Sequence, residues 1–228
     1  MSHHRSIALK ALAGVIFTPL FYGTAIFLSA GTLRYWEAWV FLIVFSIATA
    51  LLTFDVWKHD PELLERRMHI GPAAETRPVQ KLAVALALFA LFLTMVVPAF
   101  DHRFGWSQVP PWLIVFGDCG VILSYLIFFW VMRENSFAAA TIQVAQGQRV
   151  ISTGPYAIVR HPMYAGALVL MIGIPLALGS YWALLVVLAG LPGLHLRIVD
   201  EEKCLVKDLE GYADYRDRIR YRMIPGIY

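Results

Sequence analysis

The residues best suited to chemistry in this chain fall into two clusters. The first reads GPYAIVRHPMYAG over 154–166 and carries Tyr156, Arg160, His161 and Tyr164 immediately ahead of a long apolar run. Pro162 has no backbone donor to lose and its fixed φ suits the first turn of a helix, so His161 is predicted at a helix entrance with Met163 onward in the apolar phase. The second cluster reads RIVDEE over 197–202. If that stretch is helical, Arg197 and Glu201 share a face and Glu202 points partly sideways. A guanidinium beside two carboxylates offers an anion binder next to groups that hold an ammonium or a sulfonium. The plainer account is an i,i+4 ion pair on a helix surface, worth about 0–1 kcal/mol. His161 alone would be an ordinary cap, but with Arg160, Tyr156 and Tyr164 it makes a stronger case for a site.

The composition says what kind of scaffold must hold these clusters. Of 228 residues, 59% are hydrophobic and 15% charged, with a mean hydropathy of +0.63, whereas a soluble domain is roughly a quarter charged. The expected fold is all-α: a polytopic transmembrane bundle forming one domain over 1–228. Residues 1–110 supply N-terminal membrane helices and an interfacial loop, and 111–228 form the core that carries both clusters. A net charge of +3, dispersed along the chain, argues against nucleic acid, which needs a basic patch. Cys119 and Cys204 read as small packing residues rather than a disulfide. No HExxH, paired CxxC, EF-hand loop, P-loop or GxSxG elbow occurs, so no metal is expected, and metalloprotease, serine hydrolase and P-loop readings are set aside.

Apolar runs at 7–30, 39–57, 82–99 and 112–132 are each near the roughly 20 residues that cross a bilayer. Two shorter runs, 164–177 and 181–196, follow around Gly179 and Ser180 as two short crossings or as a hairpin, giving five to six membrane segments with the last two paired. Between 60 and 81 the chain reads as a short interfacial helix and loop, with Leu63, Leu64 and Met68 on its apolar side and its charges toward headgroups or water. Asp55 and Asp118 lie near span ends, within reach of headgroup depth. Residues 138–145 suit a helix and 149–152 an extended or irregular segment, with turns at Gly147 and Gly154. From Arg197 a charged amphipathic helical tail runs through IVDEEKCLVKDL, breaks at Gly211 and continues into YADYRDRIRYRMIPG. That last piece reads either as a membrane-surface segment or as a wall closing the site. With a cytoplasmic N-terminus, every Lys and Arg except Arg34 and Arg103 falls on the cytoplasmic side, the bias of the positive-inside rule.

The chain resembles the isoprenylcysteine carboxyl methyltransferase family and its bacterial and archaeal relatives, which in turn resemble phospholipid methyltransferases. The likeness is carried by MRENSF at 132–137, by V-x-x-x-G-P-Y-x-x-V-R-H-P-M-Y-x-G at 150–166, and by RIVDEEKCL followed by GYADYRDRIRYRMIPG; RYWEAW and DPELLERR extend it over nearly the whole chain. It implies a membrane enzyme, in a bacterial inner membrane, that holds S-adenosylmethionine in a cytoplasm-facing cavity and draws a lipophilic acceptor from the surrounding lipids. Carried over by residue, the expected cofactor contacts are Gln148, Arg149, Val150, Ile151, Tyr156, His161, Pro162, Met163, Tyr164 and Glu201 or Glu202. Gln148 departs from the family pattern, which often has His there. Arg197 and Glu202 are the expected catalytic positions, with Arg197 near an acceptor carboxylate, since Arg matches that group through two donors. The expected reaction is in-line methyl transfer to oxygen, sulfur or nitrogen with no protein nucleophile, and His161 is not assigned as a general base. An isoprenylcysteine-type carboxylate is one acceptor. The alternatives are a phospholipid amine, a small thiol, or a non-enzymatic transport or lipid-binding protein.

The orientation is testable directly. A fluorescent protein fused to either end should fold and emit on the cytoplasmic side, and alkaline phosphatase should be active only when inserted next to Arg34 or Arg103; active phosphatase at 60–81 would invert the topology.

Overall fold

The computed structural model describes residues 2–75, 77–138, 141 and 147–228. Among these residues are eight α-helices and no strand: α1 (Ser2–Ala30), α2 (Trp36–His59), α3 (Pro61–Met68), α4 (Pro78–Phe104), α5 (Pro111–Glu134), α6 (Pro162–Ala177), α7 (Trp182–Asp208) and α8 (Tyr212–Arg218). Five of them, α1, α2, α4, α5 and α7, are long and apolar enough to cross a membrane, and α6 is a shorter apolar helix of 16 residues. Leu28, Leu51 and Phe116 stand well exposed on the outside of the bundle, a surface that hydrocarbon accepts and water does not. Of the segment 138–145, only Ala138 and Thr141 lie within the described residues.

One helix boundary and one packing arrangement matter for the site. The tail helix expected from Arg197 is present and is continuous with the preceding apolar run: α7 extends unbroken from Trp182 to Asp208, because Glu201, Glu202, Lys203, Leu205 and Lys207 are all good helix formers. The span and the RIVDEE cluster are therefore one rigid rod. The last two membrane helices do form a hairpin, but its arms diverge: α6 packs chiefly on α5 and α7 on α4, with far less contact between α6 and α7.

The five long helices and α6 alternate in direction, so the N-terminus, α3, the described residues between α5 and α6 and the C-terminal segment gather at one end. The opposite end is tied by Asp101, which accepts from the Ser107 amide and hydroxyl at 2.6 Å each and from the Ser180 hydroxyl at 2.5 Å. Tyr35, stacked on His102, donates to the Leu178 carbonyl at 2.5 Å. Asp55 joins α2 to α5 by two hydrogen bonds from Arg133, at 2.8 and 2.5 Å. Asp118 is buried in α5 near the far end, away from both clusters.

Close approach of α5 and α6 depends on glycine. A Cβ on Gly117 would lie 2.7 Å from the Leu176 carbonyl carbon, and one on Gly173 would lie 3.0 Å from the Gly117 oxygen; small residues of this kind let membrane helices pack backbone to backbone. Gly193 in α7 has nothing within 4 Å. Gly117→Leu should lower detergent stability by about 1–3 kcal/mol or more, read as a loss of thermal midpoint, while Gly193→Leu should change it little; equal tolerance at both sites would contradict this packing.

Candidate active site

The RHP turn is set by backbone chemistry on both sides. Gly154 adopts φ 57°, a left-handed conformation that glycine takes without a Cβ penalty, and an added Cβ would meet the Glu134 carboxylate at 2.8 Å. A 3-10 turn over Gly154–Ala157 follows, presenting Tyr156 to Asn135, whose side-chain amide donates to the phenol oxygen at 2.8 Å. His161 caps α6 and Pro162 occupies its first turn, as the spacing predicts, but the His161 side chain makes no capping bond to the helix. It turns instead to the acidic pair on α7.

Glu202 is the node of the arrangement. One carboxylate oxygen accepts from Arg160 Nε at 2.8 Å and lies 3.2 Å from His161 Nε2, and the other accepts from Arg222 Nε and Nη2 at 3.0 and 2.9 Å. Arg160 also donates to the carbonyls of Ile219 and Arg220 at 2.7 and 2.9 Å. The amides of Arg160 and His161 donate to the carbonyls of Tyr221 and Arg222 at 2.9 and 2.8 Å. The C-terminal segment is thus stitched to the RHP turn, main chain to main chain. Bonding to Glu202 raises the Arg222 pKa above its ordinary value.

Glu201, one residue earlier, faces elsewhere. It accepts from the Tyr164 hydroxyl at 2.6 Å, and that hydroxyl in turn accepts from Arg197 Nε at 2.9 Å. Arg197 also donates through Nη1 to Gln80 at 2.9 Å and through Nη2 to Glu75 at 3.1 Å. Gln80 donates to Asp200, which pairs with Arg77 at 3.1 Å. Arg197 and Glu201, expected to share a helix face, are linked through Tyr164.

A cavity of about 300 Å³ opens between these groups, at the small end of the range for small-ligand sites. Gln148, Arg149, Val150, Ile151, Tyr156, His161, Pro162, Met163, Tyr164, Arg197 and Glu201 all line it, and Glu202 does not. Tyr212 and Tyr215 of α8 add aromatic surface, so the tail does form a wall, and Tyr215 donates to the Tyr156 carbonyl at 2.8 Å. Burial pushes the Tyr156 phenol up to about 12, against the lowering effect of the Asn135 bond, and burial also raises Tyr212. Both present neutral rings.

Chemically, the cavity offers one carboxylate, several aromatic faces and a strip of backbone outside any helix, a set of groups that fits a ligand combining an ammonium, a sulfonium and a flat ring. Sequence reasoning missed Arg67, which lines the cavity from α3, and Glu75 and Gln80, which hold Arg197. The signal available was the two buried polar residues flanking the α4 start, Glu75 at 4% and Gln80 at 0% exposure, which hydropathy does not register.

Fold and site define an integral membrane protein with a polar cavity at one end of its helices. Residues 112–209 match the phospholipid methyltransferase family, a likeness that takes in the RHP turn and the RIVDEE cluster and leaves α1–α4 outside it. Two relatives carry a different activity in their names. A Delta(14)-sterol reductase of Mus musculus is 33% identical over 93 residues, covering 39% of this chain and 22% of that protein. A Delta(14)-sterol reductase of Methylotuvimicrobium alcaliphilum is 32% identical over 100 residues, covering 40% of this chain and 22% of that protein. The chain spans about a fifth of the length of these curated relatives.

Glu202→Ala should lower the thermal midpoint sharply, since removing one partner of a buried ion pair costs about 3–5 kcal/mol, whereas Glu201→Gln should leave it nearly unchanged. Equal effects of the two substitutions on the melting profile would contradict this division.

Proposed function

We propose that this protein is an S-adenosylmethionine-dependent methyltransferase acting on a lipophilic acceptor drawn from the membrane. The observation that carries the reading is the convergence on one cavity of Gln148–Ile151, Tyr156, His161–Tyr164 and Glu201, within a core that matches a methyltransferase family. When bound, the cofactor supplies an electrophilic methyl group on a positively charged sulfur. Glu201 would hold its ammonium, while the Tyr156, Tyr212 and Tyr215 rings, which line the same cavity, would favour the sulfonium by cation–π attraction. Tyr164 fixes the Glu201 carboxylate through its hydroxyl and is itself fixed by Arg197. The walls exclude water and hold the acceptor in line, so positioning and charge stabilisation do most of the work. Glu202, enclosed by two guanidiniums and an imidazole, acts by holding the RHP turn and the C-terminal segment in place.

The site end holds every Lys and Arg except Arg34 and Arg103, which supports a cytoplasmic site with both termini on that side of a bacterial inner membrane. An isoprenylcysteine-type carboxylate, a phospholipid amine and a small thiol are the acceptors to screen. The sterol reductase relatives favour one second reading, in which the same cavity takes a hydride donor.

Calorimetric titration of S-adenosylmethionine into the purified protein tests the proposal. Saturable binding is expected, weakened about tenfold or more by Glu201→Gln through loss of a charge-assisted bond. Binding of NADPH in place of S-adenosylmethionine would move the reductase reading forward, and binding of neither by a folded, monodisperse protein would favour transport or lipid binding.

A further inference from the structure

Arg67 belongs to α3, outside the 112–209 core, yet lines the cavity beside Tyr156 and Tyr164. Its Nη1 donates to the Ala138 carbonyl at 2.8 Å, a neutral partner, and among the described residues no carboxylate pairs with it. The other guanidiniums at the site stand differently. Arg160 and Arg222 are paired with Glu202, and Arg197 with Glu75; Arg149 is exposed, so water already serves it. Burial lowers the Arg67 pKa, the sign of a charge that costs free energy where it stands. A half-buried cation that lines a cavity without a counter-ion is relieved most by an anion.

We infer that Arg67 binds the anionic head of the lipophilic acceptor, and that Arg197, whose guanidinium already serves Glu75, Gln80 and Tyr164, is a positioning residue. The ligand chemistry is an oxyanion, a carboxylate or phosphate, carried on an apolar chain. The inference rests on the methyltransferase reading only in calling that molecule the acceptor. Its structural logic is that α3 packs Leu63 and Leu64 against Ile7, Ala11, Val56 and Met132, which pins the helix and leaves the Arg67 head at the cavity. The part of the chain outside the shared core would then select the acceptor, while the shared core holds the cofactor.

The test measures binding of dodecanoate, dodecyl phosphate and neutral dodecanamide to the detergent-purified full chain, comparing wild type with Arg67→Gln and Arg67→Lys. Wild type should prefer the acids over the amide by about tenfold or more, Arg67→Gln should abolish that preference, and Arg67→Lys should keep part of it, since a point charge replaces a planar fork. Both variants should stay monodisperse in detergent with a thermal midpoint close to that of wild type, which controls for folding. Inorganic phosphate should not displace the amphiphiles; full displacement at comparable concentration would overturn the amphiphile and leave a free-anion site. An unchanged acid preference in Arg67→Gln, or none in wild type, overturns the inference while leaving cofactor binding standing. Acid preference without S-adenosylmethionine binding would instead sink the methyltransferase reading and keep Arg67 as an anion site.

Discussion

The cost of burying one carboxylate governs the architecture of this site. Glu202 is 7% exposed and faces Arg160, His161 and Arg222, groups drawn from the RHP turn and the C-terminal segment. An ion in such a place is tolerable only when its partners arrive together, because each uncompensated charge costs several kcal/mol. The three segments therefore dock as a unit. The cavity exists only in that docked state, since its walls are the turn on one side and Tyr212 and Tyr215 on the other. By absorbing the structural charges, Glu202 leaves its neighbour Glu201 as the carboxylate that lines the cavity.

The two ends of the bundle are built on different principles. At the far end Asp101 and Tyr35 bind short connections with a few strong hydrogen bonds, and the glycines of α5 and α6 bring two backbones close. At the site end the helices part, α6 following α5 and α7 following α4, and polar side chains fill the gap. The chain of contacts from Glu75 through Arg197 and Tyr164 to Glu201 crosses that gap. Its members come from the α3–α4 connection, α7 and α6, so the gap between the diverging arms is bridged by hydrogen bonds rather than by apolar packing.

Much of this was legible in the sequence because it rests on local rules. Apolar runs marked the spans, Pro162 marked the start of α6, and the RHP and DEE motifs marked two pieces of one cavity. What was not legible depends on distant partners. Neighbours on a helix point about 100° apart, yet which of Glu201 and Glu202 lines the cavity and which is enclosed depends on Arg222, twenty residues away from Glu202. Arg67 reads as one more interfacial charge until α3 is seen packed over the cavity. That the last apolar run and the expected tail helix form one continuous α7 was hidden by hydropathy, which reports the solvent around a helix and not where its backbone bonds end.

Helix α6 has 16 residues, which at 1.5 Å per residue rises about 24 Å, some 6 Å less than the hydrocarbon thickness of a bilayer. Its C-terminal end is tied to the rest of the far end through Leu178 and Ser180, so the shortfall falls at the His161 end. The cavity floor then lies below the level of the lipid headgroups. For the lipophilic acceptor proposed above, this depth is an energetic convenience: the molecule needs to rise only partway out of the leaflet, and each methylene that remains in hydrocarbon keeps about 0.8 kcal/mol that full extraction would forfeit.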